Sequence, residues 1–143
     1  MARADRTEVY DVPVEKFYQA IVDYKKYTDF VDGVKSVVIE KETPDGAVVK
    51  FTINIIKEIS YTITLKHTPN KEVAWSLVTG DMMKVNNGKW TLKDLGNGKT
   101  EVNYNLEMEF KGFLPGLGMI EKTLVTTNLP MTMKSFSKRA QEL

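Results

Sequence analysis

The chain has 143 residues with 20 Lys and Arg against 19 Asp and Glu, a net charge of +1. That is the length of one domain, 1–143, without a global field to draw in nucleic acid or an anionic membrane. It contains no cysteine, which excludes disulfides, thiolate metal sites, iron–sulfur clusters and cysteine nucleophiles.

Taken in chain order, "RTEVYDVP" is a short strand stopped by Pro13, whose fixed φ also suits the helix that follows. Phe17, Ile21 and Tyr24 then recur at i, i+4 and i+7, and Tyr27, Phe30 and Val31 carry helical spacing into a second short helix ending at Gly33. "KSVVIEKE" and "AVVKFTINII" flank "TPDG", a Pro-Asp-Gly order suited to a tight antiparallel turn. In the second of these strands Val49, Phe51, Ile53 and Ile55 share one face, with Lys50, Thr52 and Asn54 on the other. "ISYTITLK" repeats the alternation with Ile59, Tyr61, Ile63 and Leu65. "EVAWSLVTG" aligns Val73, Trp75 and Leu77, "GKWTLKDL" aligns Trp90 and Leu92, and "EVNYNLEMEF" aligns Val102, Tyr104, Leu106, Met108 and Phe110. Each long strand thus has one polar face. Short turns imply an antiparallel meander covered on one side by helices, and a long C-terminal helix beginning near Pro115 to Gly118 must do most of the covering.

That helix is built from poor material. In "TLVTTNLPMTMKSF" Leu124, Leu129, Met133 and Phe136 keep helical spacing, yet β-branched residues, Asn128 and Pro130 interrupt it. His67, the sole histidine, lies in "LKHTPN" and reads as a solvated turn residue, so a multi-histidine metal site is excluded and a catalytic triad would depend on it. "GFLPGLG" lacks the lysine-serine pair of a phosphate loop and reads as a hinge or cavity mouth, with Leu114 and Leu117 as caps. Glu107 and Glu109 alternate with the apolar face and should point to solvent, which argues against an acid/base pair there. No segment has the apolar run of a signal peptide or the ~20 apolar residues of a membrane helix, so a cytoplasmic location is expected.

The ordered set resembles the helix-grip fold of the START-like superfamily of polyketide cyclases and lipid-transport proteins. Its carrying residues are "VPVEKFYQAIVDYKKYTDFVDGVKSV", "IKEISYTITLKHTPNKEVAWSL", "GKWTLKDLGNGKTEVNYNLEMEF" and "FSKRAQEL". Among its branches the chain is most similar to the coenzyme Q-binding and ribosome-association toxin group, although it reads "GDMMKVNNGKW" where that group has a Gly-Pro-Phe-like entry. The resemblance implies an α+β fold, a curved antiparallel sheet of about seven strands wrapped around the C-terminal helix, with two short helices after the first strand. It also implies an apolar cavity between sheet and helix.

With that cavity, the terminal helix need not pack solidly. Thr127 and Asn128 can serve a ligand, Pro130 would bend the helix over the sheet, and Met131 and Met133 are adaptable fillers; the alternative has Asn128 as plain surface and Met131 as plain core. Tyr24, Tyr27, Phe30, Phe51, Tyr61, Trp75, Trp90 and Tyr104 fall on inward faces, and their polar tips need partners that a cavity could supply. The candidate ligand-binding residues are therefore Tyr27, Phe30, Phe51, Ile53, Tyr61, Ile63, Trp75, Leu77, Trp90, Tyr104, Leu106, Leu117, Leu124, Asn128 and Met131. The function expected is non-catalytic binding or transport of a hydrophobic small molecule, a lipid, isoprenoid quinone or polyketide-like compound, with no cofactor and no metal. Two alternatives stand beside it: a cyclase or dehydratase using Tyr61, Tyr104 and Asn128, or a ribosome-associated interaction module. The near-neutral charge argues against DNA as a partner and leaves transient membrane or ribosome contact open.

Overall fold

The computed structural model describes residues 2–54, 58–112, 117–123, 126 and 128–143. Its elements are β1 (Ala2–Tyr10), α1 (Val14–Val22), a 3₁₀ turn (Tyr24–Lys26), α2 (Tyr27–Phe30), β2 (Val34–Thr43), β3 (Gly46–Asn54), β4 (Glu58–Thr68), β5 (Glu72–Gly80), β6 (Met83–Gly96), β7 (Lys99–Phe110), α3 (Leu117–Thr123) and α4 (Leu129–Gln141). The strands form one seven-stranded antiparallel sheet in the order β1-β7-β6-β5-β4-β3-β2. Consecutive strands pair, as short turns require. The exception is β1 and β2, which form opposite edges, and α1 and α2 carry the chain between them.

Apolar spacing decides which face each element buries. Helix α1 sits on Val14, Phe17, Ala20 and Ile21, all buried, behind Pro13 at its N-cap and with Glu15 in the first turn, where a negative charge suits the helix dipole. A fully buried Thr100 hydroxyl donates to the Val12 carbonyl over 2.6 Å and ties this corner to β7. Helix α4 buries Leu129, Met133, Phe136 and Ala140 and packs against α1 and α2. Edge strand β1 carries Arg3, Asp5, Arg6 and Glu8, charges that discourage pairing with a second sheet.

Several expectations are refined. Strand β6 begins at Met83, ahead of Gly88, and β1 begins at Ala2, ahead of Arg6. The terminal helix is described as two segments. Pro130 is the second residue of α4, and Asn128 ahead of it already has helical dihedrals, φ −74° and ψ −34°. Before it, Thr126 and Asn128 adopt π-helical geometry. The hydroxyls of Thr123, Thr126 and Ser135 bond back to the carbonyls of Met119, Lys122 and Met131 at 2.8–3.0 Å, the local bonding by which Ser and Thr loosen helices.

His67 corrects the sequence reading. It is buried on β4 rather than solvated in the following turn, because the strand runs through to Thr68 and the inward alternation of Ile63 and Leu65 continues to His67. The supposed polar face is not uniformly wet either: Thr52 and Thr62 are buried, with Thr52 Oγ1 bonded to Ser60 Oγ at 2.9 Å.

Candidate functional site

The concave face of the sheet, α4 and the Val31–Val34 segment enclose an inner chamber of about 150 Å³ and a wider outer hollow of about 380 Å³. Among the described residues, none that line the inner chamber is charged. The two share Val31, Val34, Tyr61, Tyr104, Leu106, Met108 and Thr132, so they adjoin across these side chains.

The inner walls are aromatic, and the strand register brings them together. Phe51 on β3 faces Tyr61 on β4 with ring centroids 5.8 Å apart, and Trp90 on β6 faces Tyr104 on β7 at 4.5 Å, edge to face. From α4, Phe136 meets Tyr27, Phe30 and Trp90 at 5.0–5.1 Å, each edge to face. Such pairs add roughly 0.5–1.5 kcal/mol each beyond area burial, so the walls hold their shape around the space.

The polar tips are handled one by one. Tyr27 donates to the Ile21 carbonyl. The Tyr24 hydroxyl lies 2.7 Å from His67 Nε2, at the end of the chamber nearest α1. Burial lowers the His67 pKa, partly offset by a bond to the Pro44 carbonyl and by Glu42 and Asp45, so the neutral imidazole is favoured. Trp75 Nε1 donates to Asn86 Oδ1 over 2.9 Å, and Asn86 Nδ2 donates to Met83 Sδ at 3.5 Å. Burial pushes the Tyr61 phenol up to about 12, tempered by a hydrogen bond from Asn86. Burial also raises Tyr104, with the neighbouring Tyr61 adding to the effect. These phenols stay protonated across the physiological range.

Of the sequence candidates, Tyr27, Phe51, Ile63, Trp75 and Trp90 line the inner chamber, and Tyr61, Tyr104 and Leu106 line both parts. Ile53, Asn128 and Met131 line the outer hollow, where Asn128 and Met131 are exposed, so Met131 is neither core nor inner wall. Phe30 stands behind the wall, against Tyr27 and Phe136. Leu77 lies elsewhere. Pairing of β5 with β6 ends at Trp75 opposite Gly88, and beyond it Leu77 lines a separate surface hollow with Val78, Met83 and Val85. Leu117 is the first residue of α3, while Leu114, Leu124 and Thr127 lie outside the described residues.

Sequence reasoning missed Asn86, Thr132 and Phe136 as cavity residues. Asn86 was recoverable, since extending the alternation of Leu92 and Trp90 backwards through Gly88 reaches it. Glu107 and Glu109 lie outside the cavity, paired with Arg3 at 3.5 Å and Lys84 at 3.7 Å. Among the described residues no cluster of acidic, histidine or cysteine side chains is suited to a metal ion, and no helix is long and apolar enough to cross a membrane.

This architecture recurs in known proteins. The Zhui aromatase/cyclase of Streptomyces sp. R1128 superposes with a TM-score of 0.85 at 15% identity, over 98% of this chain and 93% of that one. A START superfamily protein of Mycobacterium smegmatis gives 0.84 at 18% identity, over 99% of each. Among curated proteins, the persistence and stress-resistance toxin PasT of Escherichia coli O6:H1 (strain CFT073) is 27% identical across 100% of this chain and 89% of its own length. The ribosome association toxin RatA of Escherichia coli K12 is 26% identical over the same shares. Residues 10–132 match the model of one family, and with the helix-grip fold around an apolar chamber this chain belongs to the polyketide cyclase/dehydrase and lipid transport family.

Proposed function

We propose that residues 1–143 act as a single ligand-binding domain that holds a hydrophobic small molecule between the sheet and α4 and carries it unchanged. The observation that carries this reading is the inner chamber: uncharged among its described lining residues, aromatic, and adjoining a wider hollow. An apolar cavity of about 150 Å³ is large enough for a benzene-sized ring. A larger ligand would therefore seat one ring inside and lay the rest along the outer hollow, against Ile53, Leu129 and Met131. Lipids, isoprenoid quinones and polyketide-like aromatics all offer such a division.

The test is native mass spectrometry of the purified protein, then solvent extraction and mass identification of any copurifying compound. A stoichiometric lipid, quinone or polyketide supports carriage. If acyl or polyketide substrates are instead turned over, and turnover falls in Tyr61→Phe or Tyr104→Phe while binding persists, the protein is an enzyme of the cyclase type.

A second reading is favoured by the similarity to the two toxins, which spans the whole chain. In that reading the protein contacts the ribosome. Co-sedimentation with ribosomal subunits at moderate salt tests it, and a protein left wholly in the supernatant removes it.

A further inference from the structure

His67 has no part in the ligand-binding reading, yet the fold encloses it closely. It is 8% exposed, its backbone N–H donates to the Asp45 carbonyl over 2.8 Å, and Tyr18 on α1 meets its ring edge to face at 6.5 Å. Tyr24, from the 3₁₀ turn, stacks on the imidazole with centroids 5.9 Å apart and brings its hydroxyl to 2.7 Å from Nε2. Tyr24 also lines the inner chamber, 5.6 Å from the ring of Tyr27, another wall residue. His67 thus stands one hydrogen bond behind the chamber wall.

The direction of that bond follows from the phenol. A buried O–H needs an acceptor, Tyr24 is 1% exposed, and among the described residues the acceptor within hydrogen-bond reach of it is His67 Nε2. Neutral His67 therefore carries its proton on Nδ1 and accepts from Tyr24. A second proton, taken up from solvent, reverses the bond. An imidazolium can only donate, so Nε2–H points at the Tyr24 oxygen and the phenol proton must turn to another side of that oxygen. With the ring enclosed, the open side is the chamber that Tyr24 lines.

We propose that Tyr24 and His67 form a proton switch on the chamber: with His67 neutral the Tyr24 proton is held away and an apolar ligand is retained, and with His67 protonated Tyr24 turns an unpaired O–H into the chamber, draws in water and releases the ligand. The inference rests on the ligand-binding reading above and adds its regulation. Burial favours the neutral imidazole, so the retaining state is the resting one near neutrality. The groups facing His67 are Tyr18 from α1, Tyr24 from the 3₁₀ turn, Glu42 from β2 and Asp45 from the β2–β3 turn, while β5 sets the uncharged Val73 opposite it. The two carboxylates favour the imidazolium and so bring the switch closer to use.

Cyclohexane, which offers a donor neither a lone pair nor a π face, is the probe. Its affinity for the wild-type protein should fall by roughly 10-fold once His67 is protonated, the yield of one orphaned buried donor. Linkage then requires saturating cyclohexane to lower the NMR titration midpoint of the His67 imidazole by about one pH unit, a measurement that needs no variant. Tyr24→Phe deletes only the hydroxyl and should abolish that shift, and His67→Gln should bind cyclohexane with an affinity independent of pH between about 7.5 and 5. If cyclohexane binds wild type but neither its affinity changes with pH nor the midpoint falls, the ligand-binding reading stands and the switch is wrong. A midpoint that falls equally in Tyr24→Phe, or an affinity in His67→Gln that follows pH as in wild type, overturns it too. If cyclohexane does not bind even near pH 7.5, where His67 is neutral, the ligand-binding reading fails and takes this one with it.

Discussion

Gly88→Ala places one methyl group where strand β6 has no room for it. A Cβ there would sit 2.2 Å from the Asn105 carbonyl oxygen, 2.5 Å from Trp75 Cζ2 and 3.0 Å from Trp75 Cη2. The indole can swing away, but the Asn105 oxygen belongs to paired strand β7 and cannot move without disturbing the ladder. Overpacking of this kind costs about 1–3 kcal/mol, and a displaced indole forfeits its buried bond to Asn86 for roughly another 1–3 kcal/mol. Alanine returns about 0.5–1 kcal/mol by restricting the unfolded chain. The net is about 2–4 kcal/mol of destabilisation, a fall of roughly 5–15 °C in melting temperature for a chain of this size. Urea unfolding followed by tryptophan fluorescence measures it directly, since both tryptophans, Trp75 and Trp90, line the chamber. Adding Trp75→Phe to Gly88→Ala should recover about 1 kcal/mol, because the shorter ring relieves one clash and leaves the other. A Gly88→Ala protein within about 0.5 kcal/mol of wild type would refute the reasoning.

His67 supplies a pH test. Its folded pKa is lowered below the ordinary 6.5, so the unfolded chain takes up the proton first as pH falls. Its contribution is complete above 6.5 and drains as pH drops through the lowered folded value; the stability gap between wild type and His67→Gln should narrow in acid, and a gap independent of pH between about 7 and 5 would contradict the assignment. As the sole histidine, its imidazole can be titrated by NMR without ambiguity, and a midpoint at or above 6.5 would do the same. Phe136→Ala should destabilise by about 3 kcal/mol, the low end for such truncations because one side of the ring already faces space, while raising affinity for bulkier aromatic probes. Equal probe affinity in both proteins would show that Phe136 does not bound the chamber. Thr100→Val should cost about 1–3 kcal/mol by leaving the buried Val12 carbonyl unpaired, and a neutral melt would show that water replaces the hydroxyl.

Much of this architecture is local and therefore written in periodicity. Alternation through Phe51, Tyr61, Trp90 and Tyr104 determined which strand faces turn inward, and the spacing of Phe17 and Ile21 determined the buried side of α1. The short turns "TPDG" and "GNG" determined antiparallel neighbours, with Asn97 and the flanking Gly96 and Gly98 all at positive φ. Glu107 and Glu109 could be placed outside the cavity from parity alone.

What parity could not decide was where pairing stops and what meets across the fold. Leu77 has the right parity and packs against the core, but where β5 separates from β6 beyond Gly88 it lines a different hollow. His67 looked like part of a turn because turn residues follow it, and only the 3₁₀ turn after α1, docked on the sheet, puts the Tyr24 hydroxyl over it. Asn86 was one step of alternation from being found, yet its consequence depends on Trp75, from a neighbouring strand, holding its oxygen. The chain by itself determined a one-sided sheet and the aromatic residues that face inward. The tertiary structure decided that a space remains between them and which polar tips find partners around it, because cavity shape and hydrogen-bond partners depend on contacts between residues far apart in sequence.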